Sequence, residues 1–202
     1  MYPPNRHMHK NNVSDEYLLE QICVYSNDQS LEDLFDRYFQ RLCTFSHTFV
    51  KDHAIAEELV ADTFCTIWFN RANLNVPDKA RPYLYTAVRN HSLNHLKKKR
   101  VEHIDISYAE TMPDNNLGPE QLLTFNDLLK EVNLLVDTLP EKKRIIFRMN
   151  KIEGFRYKEI ADILGISVHT VQNHMVEAIK ILAENAPQNN LLFLALVFLT
   201  LS

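Results

Sequence analysis

A cluster of polar and basic side chains near the C-terminal end of the 202-residue chain carries groups that suit double-stranded DNA. Amide side chains pair with adenine through two hydrogen bonds, and hydroxyl or methyl groups reach thymine or other base edges. The residues that suit base edges are His169, Thr170, Gln172 and Asn173. Lysine and arginine favour phosphates. The residues that suit phosphates are Arg156, Lys158 and Lys180.

The apolar residues around this cluster predict a helix-turn-helix that would hold those side chains outward. The first helix would bury a stripe with helical spacing, formed by Tyr157, Ile160, Ala161 and Leu164. Gly165 permits a sharp turn, Ile166 is expected in the core, and Ser167 is expected to cap the next helix. The inward stripe of that helix would be Val168, Val171, Met175, Ala178 and Leu182. The alternative is an ordinary helical hairpin with a polar surface.

A second group of residues predicts a docking surface for a basic protein. Apolar residues cover about half of the circumference of a helix over residues 53–70, which is wider than one core-facing stripe requires. Carboxylates stand beside them with no lysine four residues further on. The candidate docking residues are Glu57, Glu58, Leu59, Val60, Asp62 and Phe64. The alternative is that the helix is central and fully buried.

The next segment, residues 79–101, holds seven basic side chains and no acidic one. Basic residues follow a phosphate backbone, and Tyr83 or Tyr85 is placed to stack on an unpaired base, although such tyrosines are more often core residues. His91 and His95 have a spacing that zinc accepts, but no third ligand is evident, so no metal site is expected. The candidate DNA-binding residues are Arg81, Tyr85, Arg89, Asn90, Asn94, Lys97, Lys98 and Arg100.

Charge and composition limit the classes of protein to which the chain is expected to belong. The net charge of −4 conceals alternating blocks, because residues 102–140 carry eight acidic and one basic side chain between two basic segments. The three glycines form no phosphate-binding loop, and the three cysteines form no CxxC pair. The N-terminus has no signal-peptide core. We therefore expect a cytoplasmic protein that is not an enzyme, has no cofactor and does not insert directly into a membrane.

The periodicity predicts an all-α protein with two small helical domains joined by a linker. Ser30, Asp52 and Asp78 are expected to cap the second, third and fourth helices. Pro119 suits the start of a helix that reaches about Asp137. Pro140 is expected to open the next helix and Gly154 to end it. The predicted spans are 14–101 for the first domain, 102–118 for the linker, 119–183 for the second domain and 184–202 for a hydrophobic extension.

The extension ends in eleven uncharged, mainly apolar residues, 191–201. As a helix this run would extend about 16 Å, roughly half of a bilayer core, so it is too short to span. We expect it to pack on apolar surface of its own chain, on the first or the second domain, or on a partner. The alternative is a disordered, degraded tail.

The order of these motifs resembles bacterial RNA polymerase sigma factors of the sigma-70 family, in the extracytoplasmic-function group. Residues 56–68, which begin Ala-Glu-Glu-Leu-Val, are similar to the family's polymerase-docking helix. Residues 80–100 are similar to its promoter-melting and −10-reading segment, and residues 139–174 to its −35-reading region. The resemblance implies that the first domain is sigma region 2 and the second is sigma region 4.

The resemblance also implies the partners. Core RNA polymerase would bind the acidic helix through the clamp coiled coil of its largest subunit, promoter DNA would bind both basic segments, and an anti-sigma factor would silence the protein. A stand-alone helix-turn-helix regulator acting as a dimer is the alternative. That alternative explains residues 139–182 but leaves the acidic helix and the first basic segment unused.

Overall fold

A computed structural model of the chain describes residues 13–102 and 132–185. The chain divides into two compact units, residues 1–102 and 103–202. Within the described ranges, the regular secondary structure is helical throughout, as the periodicity predicts. The predicted linker, the N-terminal part of the helix predicted from Pro119 and the apolar run 191–201 lie outside the described residues.

The first unit is built around its second helix. The helices are α1 (Asp15–Tyr25), α2 (Asp28–Val50), α3 (His53–Asn70) and α4 (Ala80–Glu102), with a 3₁₀ turn at Arg71–Asn73 between α3 and α4. α1, α3 and α4 all pack against α2. The side chains that these contacts bury completely include Leu34, Leu42, Ala56, Val60, Leu84 and Val88.

Side-chain caps fix where these helices begin. The Asp52 carboxylate accepts a hydrogen bond from the Ile55 amide at 3.1 Å, which confirms the predicted cap of α3. The predicted cap at Ser30 is wrong, because Asn27 occupies that role and accepts a hydrogen bond from the Ser30 amide at 3.0 Å. The helix therefore begins three residues earlier than a cap at Ser30 requires.

The start of α4 depends on a residue far away in the sequence. The helix begins at Ala80, later than a cap at Asp78 would place it. The Ala80 amide donates a hydrogen bond to the Glu16 carboxylate of α1 at 3.3 Å. A distant side chain thus satisfies a helix-terminal amide that the sequence pattern assigned to a local cap.

A polar network joins α1 to α2. The Asp15 carboxylate forms an ion pair of 2.8 Å with Arg37 and accepts a hydrogen bond from the Tyr38 hydroxyl. Burial, followed by the hydrogen bond to Asp15, raises the pKa of Tyr38 well above its usual range. These contacts hold α1 in place, and Glu16 on the same helix in turn holds the start of α4.

The second unit contains residues 132–137 in a helical segment, followed by α5 (Glu141–Lys151), α6 (Tyr157–Leu164) and α7 (Val168–Asn185). Pro140 precedes α5 as predicted. α5 ends at Lys151, three residues before Gly154, whose φ of 68° lets the chain reverse towards α6. α5 and α6 both pack on α7. Their contacts bury Ile145, Ile146, Phe147, Met149, Ile160, Ile163, Val171 and Met175.

None of the helices in the described ranges is long and apolar enough to cross a bilayer.

Candidate nucleic-acid and protein interfaces

The helix-turn-helix of the second unit is formed by α6, a short turn and α7. Gly165 ends α6 in the left-handed conformation with φ 62°. Ser167 accepts a hydrogen bond from the Thr170 amide at 3.0 Å and caps α7, as the sequence predicts. At the other end of α6, the Arg156 amide donates to the Glu159 carboxylate at 2.9 Å. Local hydrogen bonds therefore fix both ends of α6 and the start of α7.

Most of the predicted buried stripe is confirmed. On α7, Val171, Met175, Ala178 and Leu182 are buried. The prediction is wrong at Ile166 and Val168, which are 37% and 39% exposed. Ile166 lies in the turn, and Val168 is the first residue of α7.

The predicted base-reading residues form an outward row at the start of α7. His169, Gln172 and Asn173 are exposed, and the Asn173 amide lies 3.2 Å from the His169 ring nitrogen. Thr170 is half-buried, and its hydroxyl lies 2.8 Å from the Ser167 hydroxyl. Three side chains with base-pairing groups therefore face solvent, and Thr170 supports the cap.

The residues predicted to bind phosphates around this row are also exposed. Arg156 and Lys158 lie at the start of α6, and Lys180 lies further along α7. The Lys180 ammonium is 4.0 Å from the Glu184 carboxylate, an exposed i,i+4 pair that binds only weakly.

The candidate docking helix α3 has an acidic outer face and an apolar inner face. Glu57, Glu58 and Asp62 are exposed. The predicted contribution of the apolar residues to an exposed surface is wrong, because Leu59, Val60 and Phe64 are 8%, 0% and 3% exposed. Phe64 packs on α2, where its ring lies 5.1 Å from that of Phe35, whereas Val60 is fully buried and Leu59 lines the side of α3 next to α4. The surface that remains carries the three carboxylates and, near the end of the helix, the exposed ring of Phe69.

Two residues of the predicted −10 segment also point inward. Tyr85 is 1% exposed, and its ring lies 4.9 Å from that of Phe45 on α2. The guanidinium nitrogens Nε and Nη2 of Arg81 are buried, so neither residue offers these groups to DNA as predicted. Tyr83, the other candidate for stacking, is half-buried, and burial raises its pKa.

The remaining residues of that segment lie along the C-terminal half of α4. Asn90, Asn94, Lys97 and Lys98 are exposed, and Arg89 is half-buried. Arg100 is helical in its backbone, and its side chain lies outside the described part. The exposed amides and ammonium groups therefore begin at the middle of the helix, whereas residues 80–89 are buried or half-buried.

An open groove of about 520 Å³ runs between α3 and α4. Glu58, Leu59 and Asp62 line the α3 side. The α4 side contains His91, Asn94, His95, Lys97 and Lys98. The acidic side chains of α3 and the basic side chains of α4 therefore lie on opposite walls of one groove. Neither sequence motif alone indicated that they are close together. Among the described residues, no group of three or more His, Cys, Asp or Glu side chains is arranged to hold a metal ion.

These features define a class of protein: an all-helical DNA-binding protein with a helix-turn-helix in one unit and an acidic and a basic helix side by side in the other. Family comparison is more specific. Residues 34–102 match the model of sigma-70 region 2, and residues 129–182 match that of sigma-70 region 4. The two matches together span more than half of the chain.

Curated relatives of the chain carry sigma-factor names. The chain is 28% identical to RNA polymerase sigma factor SigZ of Bacillus subtilis over 148 residues, which is 68% of this chain and 76% of the relative. It is 23% identical to the ferric citrate uptake sigma factor FecI of Escherichia coli, over 62% of this chain and 72% of the relative. It is 24% identical to the ECF RNA polymerase sigma factor SigE of Mycolicibacterium smegmatis, over 72% of this chain and 57% of the relative.

Solved structures support the fold. CnrH in complex with the cytosolic domain of CnrY covers 84% of this chain and 95% of its own, with a TM-score of 0.55 and 19% identity. The sigma factor RpoE of Bartonella quintana in complex with the anti-sigma factor NepR covers 77% of this chain and 96% of its own, with a TM-score of 0.57 and 21% identity.

The chain belongs to the sigma-70 family of RNA polymerase sigma factors, in its extracytoplasmic-function group. It is a transcription initiation factor that binds core RNA polymerase and directs it to promoter DNA. The stand-alone dimeric regulator is not favoured, because it does not account for the region 2 match.

Proposed function

We propose that the outer face of α3 binds core polymerase. Three carboxylates, Glu57, Glu58 and Asp62, are exposed on this face, and the apolar side of the same helix is anchored in the core. A rigid helix that presents negative charge suits a basic partner, because complementary charge speeds association and fixes orientation. Phe64 and Val60 take the supporting role of anchoring the helix in the core, and Leu59 lies at the base of the groove next to α4.

The exposed half of α4 binds the −10 element. Asn90 and Asn94 offer amides to base edges, and Lys97, Lys98 and Arg100 supply positive charge for phosphates. Arg89 is half-buried beside them and contributes charge at the edge of this surface. Tyr83 replaces Tyr85 as the candidate for stacking on an unpaired base, because Tyr85 is buried.

The start of α7 reads the −35 element. His169, Gln172 and Asn173 reach base edges, and Thr170 holds the helix start through Ser167. Arg156, Lys158 and Lys180 bind phosphates on either side. The exposed row on a capped recognition helix is the observation that carries this assignment, since it places pairing groups and charge where a major groove would receive them.

An anti-sigma protein controls the chain, and the chain itself acts in the cytoplasm as a binding factor without catalytic activity of its own. Support for the partner comes from the two similar structures, which are complexes with the cytosolic domain of CnrY and with the anti-sigma factor NepR. Support for a role without catalysis comes from the family itself, whose named members are transcription factors.

Reconstitution with purified core polymerase tests the proposal. The chain and core polymerase are expected to co-elute on size-exclusion chromatography and to protect promoter fragments from nuclease at two positions, −10 and −35. The chain alone is expected to protect neither position at the same concentration. Protection at both positions by the chain without polymerase would instead support a stand-alone regulator.

A further inference from the structure

The outward side of α7 carries an apolar stripe next to its polar row. Val168, Val176 and Ile179 are 39%, 67% and 37% exposed, and Ala183 is also exposed. At about 100° per residue, these four positions fall within roughly 80° of the helix circumference. Gln172 falls at the centre of the same sector between Val168 and Val176, so the uninterrupted apolar part of the stripe is Val176, Ile179 and Ala183.

This stripe is interleaved with the candidate base-reading residues. Gln172 precedes Val176 by four residues and Asn173 precedes it by three, so all three share one side of the helix. Lys180 follows Val176 by four residues. Anything that packs over Val176 therefore covers part of the surface that would face DNA.

The sequence beyond α7 supplies a segment of matching character and reach. α7 ends at Asn185, and after five residues the uncharged run 191–201 begins. A connection of five residues lies within the usual range of about 2–8 for antiparallel helices. An eleven-residue helix would extend about 16 Å, and the distance back along α7 from Asn185 to Val176 is about 14 Å.

We propose that residues 191–201 fold back on α7 of their own chain, pack on Val176, Ile179 and Ala183, and mask the recognition face until DNA displaces them. Neither surface carries a charge, so their association removes apolar area from water without desolvating an ion. The masking of DNA binding rests on the −35 role proposed above, whereas the packing itself does not.

Thiol alkylation tests the packing without DNA. The reporter is Ile179→Cys in a chain that also carries Cys65→Ser, since Cys65 is exposed and Cys23 and Cys43 are buried. If the segment occupies the stripe in about nine of ten molecules, the reporter should react about tenfold more slowly in the full chain than in a chain ending at Asn185. Equal rates would overturn the proposal.

Glu177→Cys in the same background is the matched control. Glu177 is exposed on the side of α7 that faces α5, where its carboxylate lies 3.0 Å from Lys143, so its rate should be the same in both chains. Protection of both thiols would mean a general structural change and would overturn the proposal. Protection of the Ile179→Cys thiol that increases with protein concentration would mean that the segment packs on α7 of a second copy. That result would also overturn the proposal.

DNA binding tests the masking. With cysteines unchanged, the chain ending at Asn185 should bind a −35 duplex about tenfold more tightly than the full chain, because the competent fraction rises from about one tenth to one. If the thiol is protected but the full and truncated chains bind the duplex with equal affinity, the segment does not mask DNA binding. If the truncated chain fails to bind the duplex even at protein concentrations far above those of the polymerase reconstitution, although the thiol is protected, the −35 assignment fails and the packing stands.

Discussion

The two units of this sigma factor use their exposed residues in different ways. In the second unit, the residues that face outward from α7 are those that a helical wheel places there, and local caps fix them. In the first unit, α3 and α4 are packed against α2, and several residues with suitable chemistry are buried. The exposed side chains of the recognition helix are therefore fixed by residues close in the sequence. The exposed side chains of α3 and α4 are instead fixed by packing against residues distant in the sequence.

Burial on α3 gives the largest expected effect. Phe64→Ala should lower the free energy of unfolding by about 3–5 kcal/mol, because it removes a buried ring packed on Phe35. Urea unfolding of the two chains measures the change. Phe69→Ala is the matched control at the end of the same helix, where the ring is 78% exposed, and it should change stability little. Equal losses in both variants would contradict the assignment of Phe64 to the core.

The acidic face of α3 should affect polymerase binding without affecting stability. Glu58→Lys with Asp62→Lys should weaken binding to core polymerase by about 2 kcal/mol, roughly 30-fold, because like charges would then meet at the interface. Fluorescence titration at moderate salt measures the affinity. Glu20→Lys with Glu32→Lys makes the same change in net charge at exposed positions of α1 and α2 and should bind normally. Equal losses of polymerase affinity in the two double variants would mean that net charge alone causes the effect, and not the position of the carboxylates on α3.

The second unit should separate base reading from phosphate binding. Gln172→Ala or Asn173→Ala should remove about 1–3 kcal/mol of discrimination at one −35 base pair. Lys158→Ala should weaken binding to all sequences alike and reduce the salt slope by about 0.9. Binding to a panel of duplex variants at several salt concentrations measures both quantities. Identical behaviour of the amide and lysine variants would make the division of roles untenable.

The smallest expected effect is the pH dependence of an ion pair between α5 and α7. The hydrogen bond and charge of Lys143 hold the pKa of Glu177 below its usual value of 4.5. A carboxylate with a depressed folded pKa contributes stability above its unfolded pKa and loses it as the pH falls through the folded pKa. Lys143→Met should therefore melt slightly below the wild-type chain near pH 7. The difference between the two melting temperatures should disappear as the pH falls below the lowered pKa of Glu177, and a difference that grows towards acid would have the wrong sign.

How much the sequence could predict depends on whether a contact is local or distant in the sequence. Asp52, Ser167 and the α7 stripe act within a few residues, so spacing alone identified their roles. The burial of Tyr85 depends on Phe45, forty positions earlier, and the start of α4 depends on Glu16. Periodicity carries no information about such distant contacts, because it reports one helix at a time.

The misassigned residues of α3 illustrate the same limit. Apolar residues around half of a helix are compatible with a docking strip or with burial between neighbours, and the sequence left both open. Contact with Phe35 of α2 places Phe64 in the core. Ile166 failed for a different reason, because a residue in a tight turn does not follow the helical spacing that surrounds it.

Promoter-directed transcription in a purified system tests the central claim most directly. Core polymerase is supplied with genomic promoter fragments and with the wild-type chain, the Glu58→Lys/Asp62→Lys variant or the Gln172→Ala variant. We expect discrete transcripts with the wild-type chain, few with the α3 variant at limiting concentration, and altered promoter choice at normal polymerase binding with the α7 variant. Transcripts that start at the same sites and in the same amounts with all three chains, or with core polymerase alone, would contradict the central claim.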